Sequence, residues 1–579
     1  MQGAVYRLLP LLASSHLCQG RFLKRHSEEL AVHDQEETCS PLRNHETYSS
    51  VPVAIGTPSQ TFELVADTGS NNCIVMDCQC AQCPHDWGKC FTGSGKSKTF
   101  ELPKYKSHDP LLGSKAEMLP ASMLLTFGSG QIAARVASDE VRIGHTHAFM
   151  KNGLLLMVDQ ALRLRGPFEG ILGLGRPEVK MSGKAKVNHT AGELDIRVPG
   201  FAEEAGIRRF SMCFNREADG VLGLHTAEPS KRLESVGQIH WGVDFHGISI
   251  GEGNAKHRVK ICDPKEKRPD QETICGLIPD SGTTMITGPE NQLAELYMDI
   301  CSNWERCQKA FEEVSKEMKD LQDQGMQVGG LSLTQHATVP EELADAFKKL
   351  QDILQAGKAD AAASNGTSSG DAADIADILG GAAGAGAEAR PQKDYMKANV
   401  FLLLLEHCAD WAEGVDMDQE LPKLNFHVAG LNGAQTELSL RPKNYIMTAT
   451  ADINVPEMKT LGGLTFQIER KKRGKVCMPA FQPAPFTTKL NGEVWIMGTP
   501  LFYEYTAHYD RGSADGKVKP SMAFTHVHEE PCGRCQDNRI VRGGHPALTQ
   551  KKSEKTGVES LRQLTRAPIV RNLTSTHSL

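Results

Sequence analysis

Beyond its first residues the chain lacks any run of about 18 apolar residues, which excludes a helical membrane span. The longest candidate, Val400-Phe-Leu-Leu-Leu-Leu405, is far too short. Charge of one sign is also lacking. The net charge of −7 over 579 residues is mild, and no clustered Lys and Arg surface points to nucleic acid. The basic run Arg470-Lys-Lys-Arg-Gly-Lys475 reads as a solvated loop. Long amphipathic periods are confined to one segment, whereas aliphatic and Gly-rich runs alternate with turn residues throughout. That pattern predicts a mainly β protein, long enough for two or three domains and a large core.

What is present is one short pattern used twice. Phe62-Glu-Leu-Val-Ala-Asp67-Thr68-Gly69-Ser70 and Gly276-Leu-Ile-Pro-Asp280-Ser281-Gly282-Thr283-Thr284 are each an apolar run ending in Asp, a hydroxyl residue, Gly and another hydroxyl residue. A single Asp-Thr-Gly is ordinary turn chemistry at a strand end. Two copies in matching apolar settings predict two carboxylates working together. Carboxylates at hydrogen-bond distance cannot both ionise cheaply, so the pair holds one proton. One then acts as base and the other as acid on a water that attacks an amide carbonyl. Such chemistry needs no metal, no cofactor and no covalent intermediate.

These motifs and their order resemble the pepsin-like aspartic proteases. Pro41-Leu-Arg-Asn44 with Val53-Ala-Ile-Gly56-Thr57-Pro58 is similar to the start of a mature enzyme of that family. Phe168-Glu-Gly170-Ile171-Leu172-Gly173-Leu174-Gly175 is similar to the segment bracing the first Asp loop, and Val494-Trp495-Ile496-Met497-Gly498 with Tyr509-Asp510-Arg511 to its counterpart. The resemblance implies a bilobal fold with a central cleft, a lobe over about 41–230 and another over 231–528. It implies an acid-favoured endopeptidase, monomeric, acting on peptide or protein substrates. Asp67 and Asp280 would share the proton, Thr68 and Ser281 would cross-link their loops, and Ser70 and Thr283 would bond the outer carboxylate oxygens beside Gly69 and Gly282. The stretch Leu124-Leu-Thr-Phe127-Gly128-Ser129-Gly130 matches the hairpin that covers substrate, where a peptide adds as a strand. The family usually has Tyr where this chain has Phe127 and Trp where it has Ile74. Those relatives' side chains are hydrogen-bonded to each other, so replacing both leaves nothing unpaired. Slower turnover is the expected consequence. A catalytically silent peptide-binding protein on the same fold stays as the alternative.

Sixteen cysteines add a second layer. Cys262 and Cys275 flank a polar loop and suit a local disulfide, while Cys408 and Cys477 match the family's C-terminal disulfide. Cys73, Cys78, Cys80, Cys83 and Cys90 follow the first Asp, as in cysteine-rich nepenthesin-like and plasmepsin-like members; Phe210-Ser-Met-Cys213-Phe214 points the same way. Cys78, Cys80, Cys83 and Cys90 are read as disulfide partners, with a soft-ligand metal site including His85 as the competing reading. Cys73 is either a buried free thiol or the partner of a distant cysteine. Cys532-Gly-Arg-Cys535 is expected to close on itself. A leader over Met1–Gly20, a short prosegment over 21–40 whose basic cluster Arg21-Phe-Leu-Lys24-Arg25 either pairs with the acidic dyad or offers a processing site at Lys24-Arg25, and glycosylation at Asn188, Asn365 and Asn572 are expectations consistent with a secreted, secretory-lumen or acidic vacuolar or lysosomal setting.

The largest departure from the family is an insertion over about 308–392. Phe311, Val314, Met318 and Leu321, then Leu343, Phe347, Leu350 and Leu354, each fall on one helical face. They predict a surface helical hairpin; the composition after Gly357, including Asp371–Ala389, predicts a flexible linker. The saposin-type cysteine pattern is absent. Residues 529–579 are expected to form a disordered tail.

Overall fold

The computed structural model describes residues 36–45, 47–80, 83, 88–106, 118–128, 130–161, 169–176, 184–186, 193–253, 256–323, 392–461, 464–513 and 515–542. The expected leader, Lys24-Arg25, Ser129, His85, the three sequons, the second helical set and the linker lie outside them.

The fold is mainly β and two-lobed, built from large mixed sheets. In the first lobe the strand Gln60–Asp67 buries Phe62, Leu64 and Ala66 while Glu63 and Val65 are half-buried, the two-residue period of a pleated strand. It pairs antiparallel with Ser49–Ile55 and parallel with Gly170–Gly173. The second lobe repeats the device. Cys275–Pro279, buried along its whole length, runs parallel to Gly492–Met497.

Between the lobes lies a platform drawn from both ends of the chain. Its strand order is Thr38–Asn44, Gly220–Leu224, Arg209–Cys213, Tyr505–Asp510, Ser521–His526 and Leu233–Glu234. Tyr509 stacks on Phe210 at 4.8 Å and sits 5.1 Å from the Trp241 ring, so aromatic packing joins platform and second lobe. Each fully buried large apolar side chain of this kind contributes about 1.5–3 kcal/mol. Polar contacts also cross the halves. Thr284 donates its hydroxyl to the Thr47 carbonyl at 2.6 Å, and Arg216 Nε donates to Asn444 Oδ1 at 3.0 Å while its guanidinium covers the Tyr503 ring.

Two elements extend across the expected boundaries, and one disulfide expectation is overturned. Thr38, Cys39 and Ser40 belong to the same strand as Pro41–Asn44, so a prosegment ending at residue 40 would cut through a paired strand. The tail is ordered through residue 542: a hairpin of Arg534–Gln536 and Arg539–Val541 packs beside that strand. Finally, Cys532 and Cys535 do not close on each other; Cys532 pairs with Cys213 and Cys535 with Cys39. Both partners are distant in sequence, which local spacing could not reveal.

The remaining disulfides are Cys78–Cys90, Cys80–Cys83, Cys262–Cys275, Cys301–Cys307 and Cys408–Cys477. Pairing occupies the four thiols that the metal reading needed. Cys73 is free and buried, its pKa pushed up to about 12 by desolvation, an inert thiol in the core.

The insertion begins as a helix, Glu305–Asp323, that follows Glu290–Ser302. A third helix, Gln392–Glu406, returns against them, with Phe401 stacked on Tyr297 at 5.2 Å and edge-on to Trp304 at 6.2 Å. The apolar run Val400–Leu405 is therefore spent on this packing. Among the described residues no helix is long and apolar enough to cross a membrane. The basic run Arg470–Lys475 lies in a strand rather than a loop, half of a long hairpin of Ile446–Leu461 and Leu464–Pro479.

Candidate active site

Each Asp-hydroxyl-Gly turn leaves the end of a buried strand, and a neighbouring parallel strand fixes its direction. Asp67 stands opposite Gly173, and the Leu174 amide donates to the Asp67 carbonyl at 2.7 Å. In the second lobe the Asp280 amide donates to the Met497 carbonyl at 2.9 Å. Both Asp residues are thus held by backbone before any side chain is considered.

Thr68 and Ser281 bind the two turns into one unit. The Thr68 amide donates to Ser281 Oγ and the Ser281 amide to Thr68 Oγ1, each at 3.0 Å. Their hydroxyls continue inward, Thr68 to the Pro279 carbonyl at 3.1 Å and Ser281 to the Ala66 carbonyl at 2.7 Å. Both residues are fully buried, so these four bonds form where water cannot compete.

Around each carboxylate the partners repeat. Gly69 N–H donates to Asp67 Oδ1 at 2.8 Å and Ser70 Oγ to Oδ2 at 2.5 Å. Gly282 N–H donates to Asp280 Oδ1 at 2.8 Å and Thr283 Oγ1 to Oδ2 at 2.6 Å. The glycines are a matter of space. A Cβ on Gly69 would lie 2.8 Å from Asp280 Oδ2, and one on Gly282 would lie 2.3 Å from Asp67 Oδ1. Each Gly lets the opposite carboxylate approach.

That approach is felt electrostatically. Burial raises the Asp67 pKa first, and the Asp280 carboxylate beside it raises it further, to about 7 against the donors from Ser70 and Gly69. Asp67 therefore holds a proton across the acidic range. The two turns thus set this protonated carboxyl side by side with that of Asp280.

The hairpin expected to cover substrate pairs Ser122–Phe127 with Gly130–Ala137, Phe127 opposite Gly130. Phe127 is half-buried and packs with fully buried Ile74 in one apolar cluster with Met76, Ile132 and Ile171. Gly128 is at the tip, and a Cβ there would meet nothing within 4 Å.

Sequence reasoning missed a short segment from the second lobe. Arg176, buried, donates Nη1 to the Val236 carbonyl at 3.2 Å and to that of Gly237. Trp241 Nε1 donates to the Leu174 carbonyl at 3.0 Å, and His240 Nδ1 bonds the Gly69 carbonyl at 3.1 Å. No spacing in the sequence relates His240 to either Asp turn. Only folding brings it there.

Comparison with known proteins accords with this architecture. The family model described as Eukaryotic aspartyl protease matches residues 48–339, half of the chain, and the chain belongs to that family. It is similar to Napsin-A of Mus musculus, 26% identical over 42% of this chain and 52% of that one. Pregnancy-associated glycoprotein 1 of Ovis aries is 31% identical over 48% and 66%, and Renin of Rattus norvegicus 23% over 49% and 63%. The matches thus span about half to two thirds of these curated relatives' lengths.

Proposed function

We propose that this chain is an acid-favoured aspartic endopeptidase in which Asp67 and Asp280 activate a water against a peptide bond. The observation that supports it best is the reciprocal Thr68–Ser281 lock, which brings together two identically supported carboxyl groups, Asp67 being held protonated by burial and by its neighbour. In the first step the ionised carboxylate takes a proton from water as its oxygen bonds to the carbonyl carbon. Asp67 gives its proton to the carbonyl oxygen, producing a neutral tetrahedral diol. In the second step the diol returns a proton to one carboxylate, the amide nitrogen is protonated by the pair, and the C–N bond breaks. The pair ends as it began, with one proton.

Phe127 and Gly128, with Ser129 outside the described residues, would cover an extended peptide bound through its backbone. Since Phe127 packs against the apolar cluster that contains Ile74, the hairpin is positioned by packing rather than by a hydroxyl. The seven disulfides among the described residues need an oxidising compartment to form, which supports a secretory-pathway, secreted or vacuolar lumen. No cofactor enters the reaction.

The test is inhibitor class. Cleavage of a denatured protein should be abolished by a statine-type peptide and unaffected by a chelator or a thiol alkylating reagent. Cleavage lost to the chelator or alkylator, or indifferent to the statine, would overturn the assignment.

A further inference from the structure

His240 is a titratable group at the site that the shared-proton chemistry does not use. It stands just before Val243–Ile250, half-buried, and its Nδ1 is 3.1 Å from the Gly69 carbonyl oxygen. A carbonyl only accepts, so Nδ1 carries the hydrogen. Protonation must therefore occur at Nε2, which has no hydrogen-bond partner among the described residues. Gly69 is itself the residue whose Cα faces the Asp280 carboxylate. The imidazole is thus fixed on the Asp67 turn, on the residue that faces the Asp280 carboxylate.

We propose that His240, as an imidazolium anchored on the Gly69 carbonyl, is a positioning and electrostatic residue that stabilises the negative charge of the carboxyl pair and so extends activity to lower pH. The inference rests on the protease reading above. The charged group that acts on it is Asp280, and Asp67 lies on the loop that carries Gly69. Burial lowers the histidine pKa, while Asp280 and the Gly69 carbonyl raise it, so the charge appears only in acid. A cation beside a carboxyl pair lowers the pH at which the pair first ionises. Toward neutrality the imidazole is uncharged and leaves the second ionisation alone.

This asymmetry makes the proposal testable. The pH dependence of kcat/KM is measured for the full, oxidised and processed chain on a peptide without ionisable side chains near the cleaved bond. In His240→Gln, which keeps an amide donor for Gly69, and in His240→Asn, the acid limb should move up by about one unit while the alkaline limb stays in place. Superimposed acid limbs, or a uniform fall in rate with both limbs unmoved, would overturn it. By reciprocity, the imidazole titration of His240, followed by nitrogen NMR, should fall by a similar amount in Asp280→Asn. An unchanged titration would also overturn the proposal. No cleavage by wild-type protein at any pH would sink the protease reading instead, with the NMR titration still deciding on His240.

Discussion

Asp67 links the chemistry to stability. Its folded pKa, raised to about 7, lies above the unfolded value of 3.8, so the native state holds a proton that the unfolded state has already released. The sign follows directly: this carboxyl reduces stability progressively as pH rises from about 4 to about 7. Asp67→Asn removes that loss. Its melting temperature should exceed wild type at pH 7 by the equivalent of a few kcal/mol, on the order expected for a shift of this size, and the difference should shrink toward pH 4. Equal differences at both pH values would contradict the raised pKa. Thr68→Val leaves the Ser281 amide without its acceptor in a buried setting, and denaturant unfolding should show a loss of about 1–3 kcal/mol. At Phe127 the prediction concerns a pair. Phe127→Tyr alone should change kcat/KM by less than about threefold, because apolar Ile74 offers the new hydroxyl nothing. Combined with Ile74→Trp it should show non-additive gain in a double-mutant cycle.

At the scale of elements the instructive feature is the ordered tail. Cys39 and Cys213 belong to platform strands, and both are tied to Cys532-Gly-Arg-Cys535, so the tail hairpin staples one side of the platform. Breaking Cys39–Cys535 with a double Ser substitution should lower stability by about 2–5 kcal/mol, read from thermal unfolding under oxidising conditions. Peptide mapping of unreduced protein should recover Cys535 with Cys39 and Cys532 with Cys213; a Cys532–Cys535 peptide would contradict the arrangement. Sequence could not anticipate this, since a C-x-x-C spacing is equally open to local closure and to two distant partners. The two Asp strands, by contrast, were legible, because an apolar run that delivers Asp into a Gly turn carries its own direction. The helix Glu305–Asp323 was legible from the apolar periodicity of Phe311 and Val314. Its return partner, Gln392–Glu406, was not, because its apolar residues are too evenly spread to mark one face.

For the whole molecule, two lobes each present one carboxyl group, and the interlocked turns hold the two side by side. Bilobal architecture and both Asp turns could be read from the repeated motif and the family resemblance. The position of His240 and Arg176 could not, because the contacts that matter join residues far apart in sequence through the packing of both lobes. The central claim is that the pair works as one acid and one base on a peptide bond. Its most direct measurement is hydrolysis of a denatured protein from about pH 3 to pH 8 by wild type, Asp67→Asn and Asp280→Asn. The expected result is cleavage that is strongest in acid, declines as pH rises through about 7 where Asp67 releases its proton, and falls at least about 1000-fold in either variant. Equal cleavage by wild type and one of the variants, or none by oxidised and processed wild type, would contradict it.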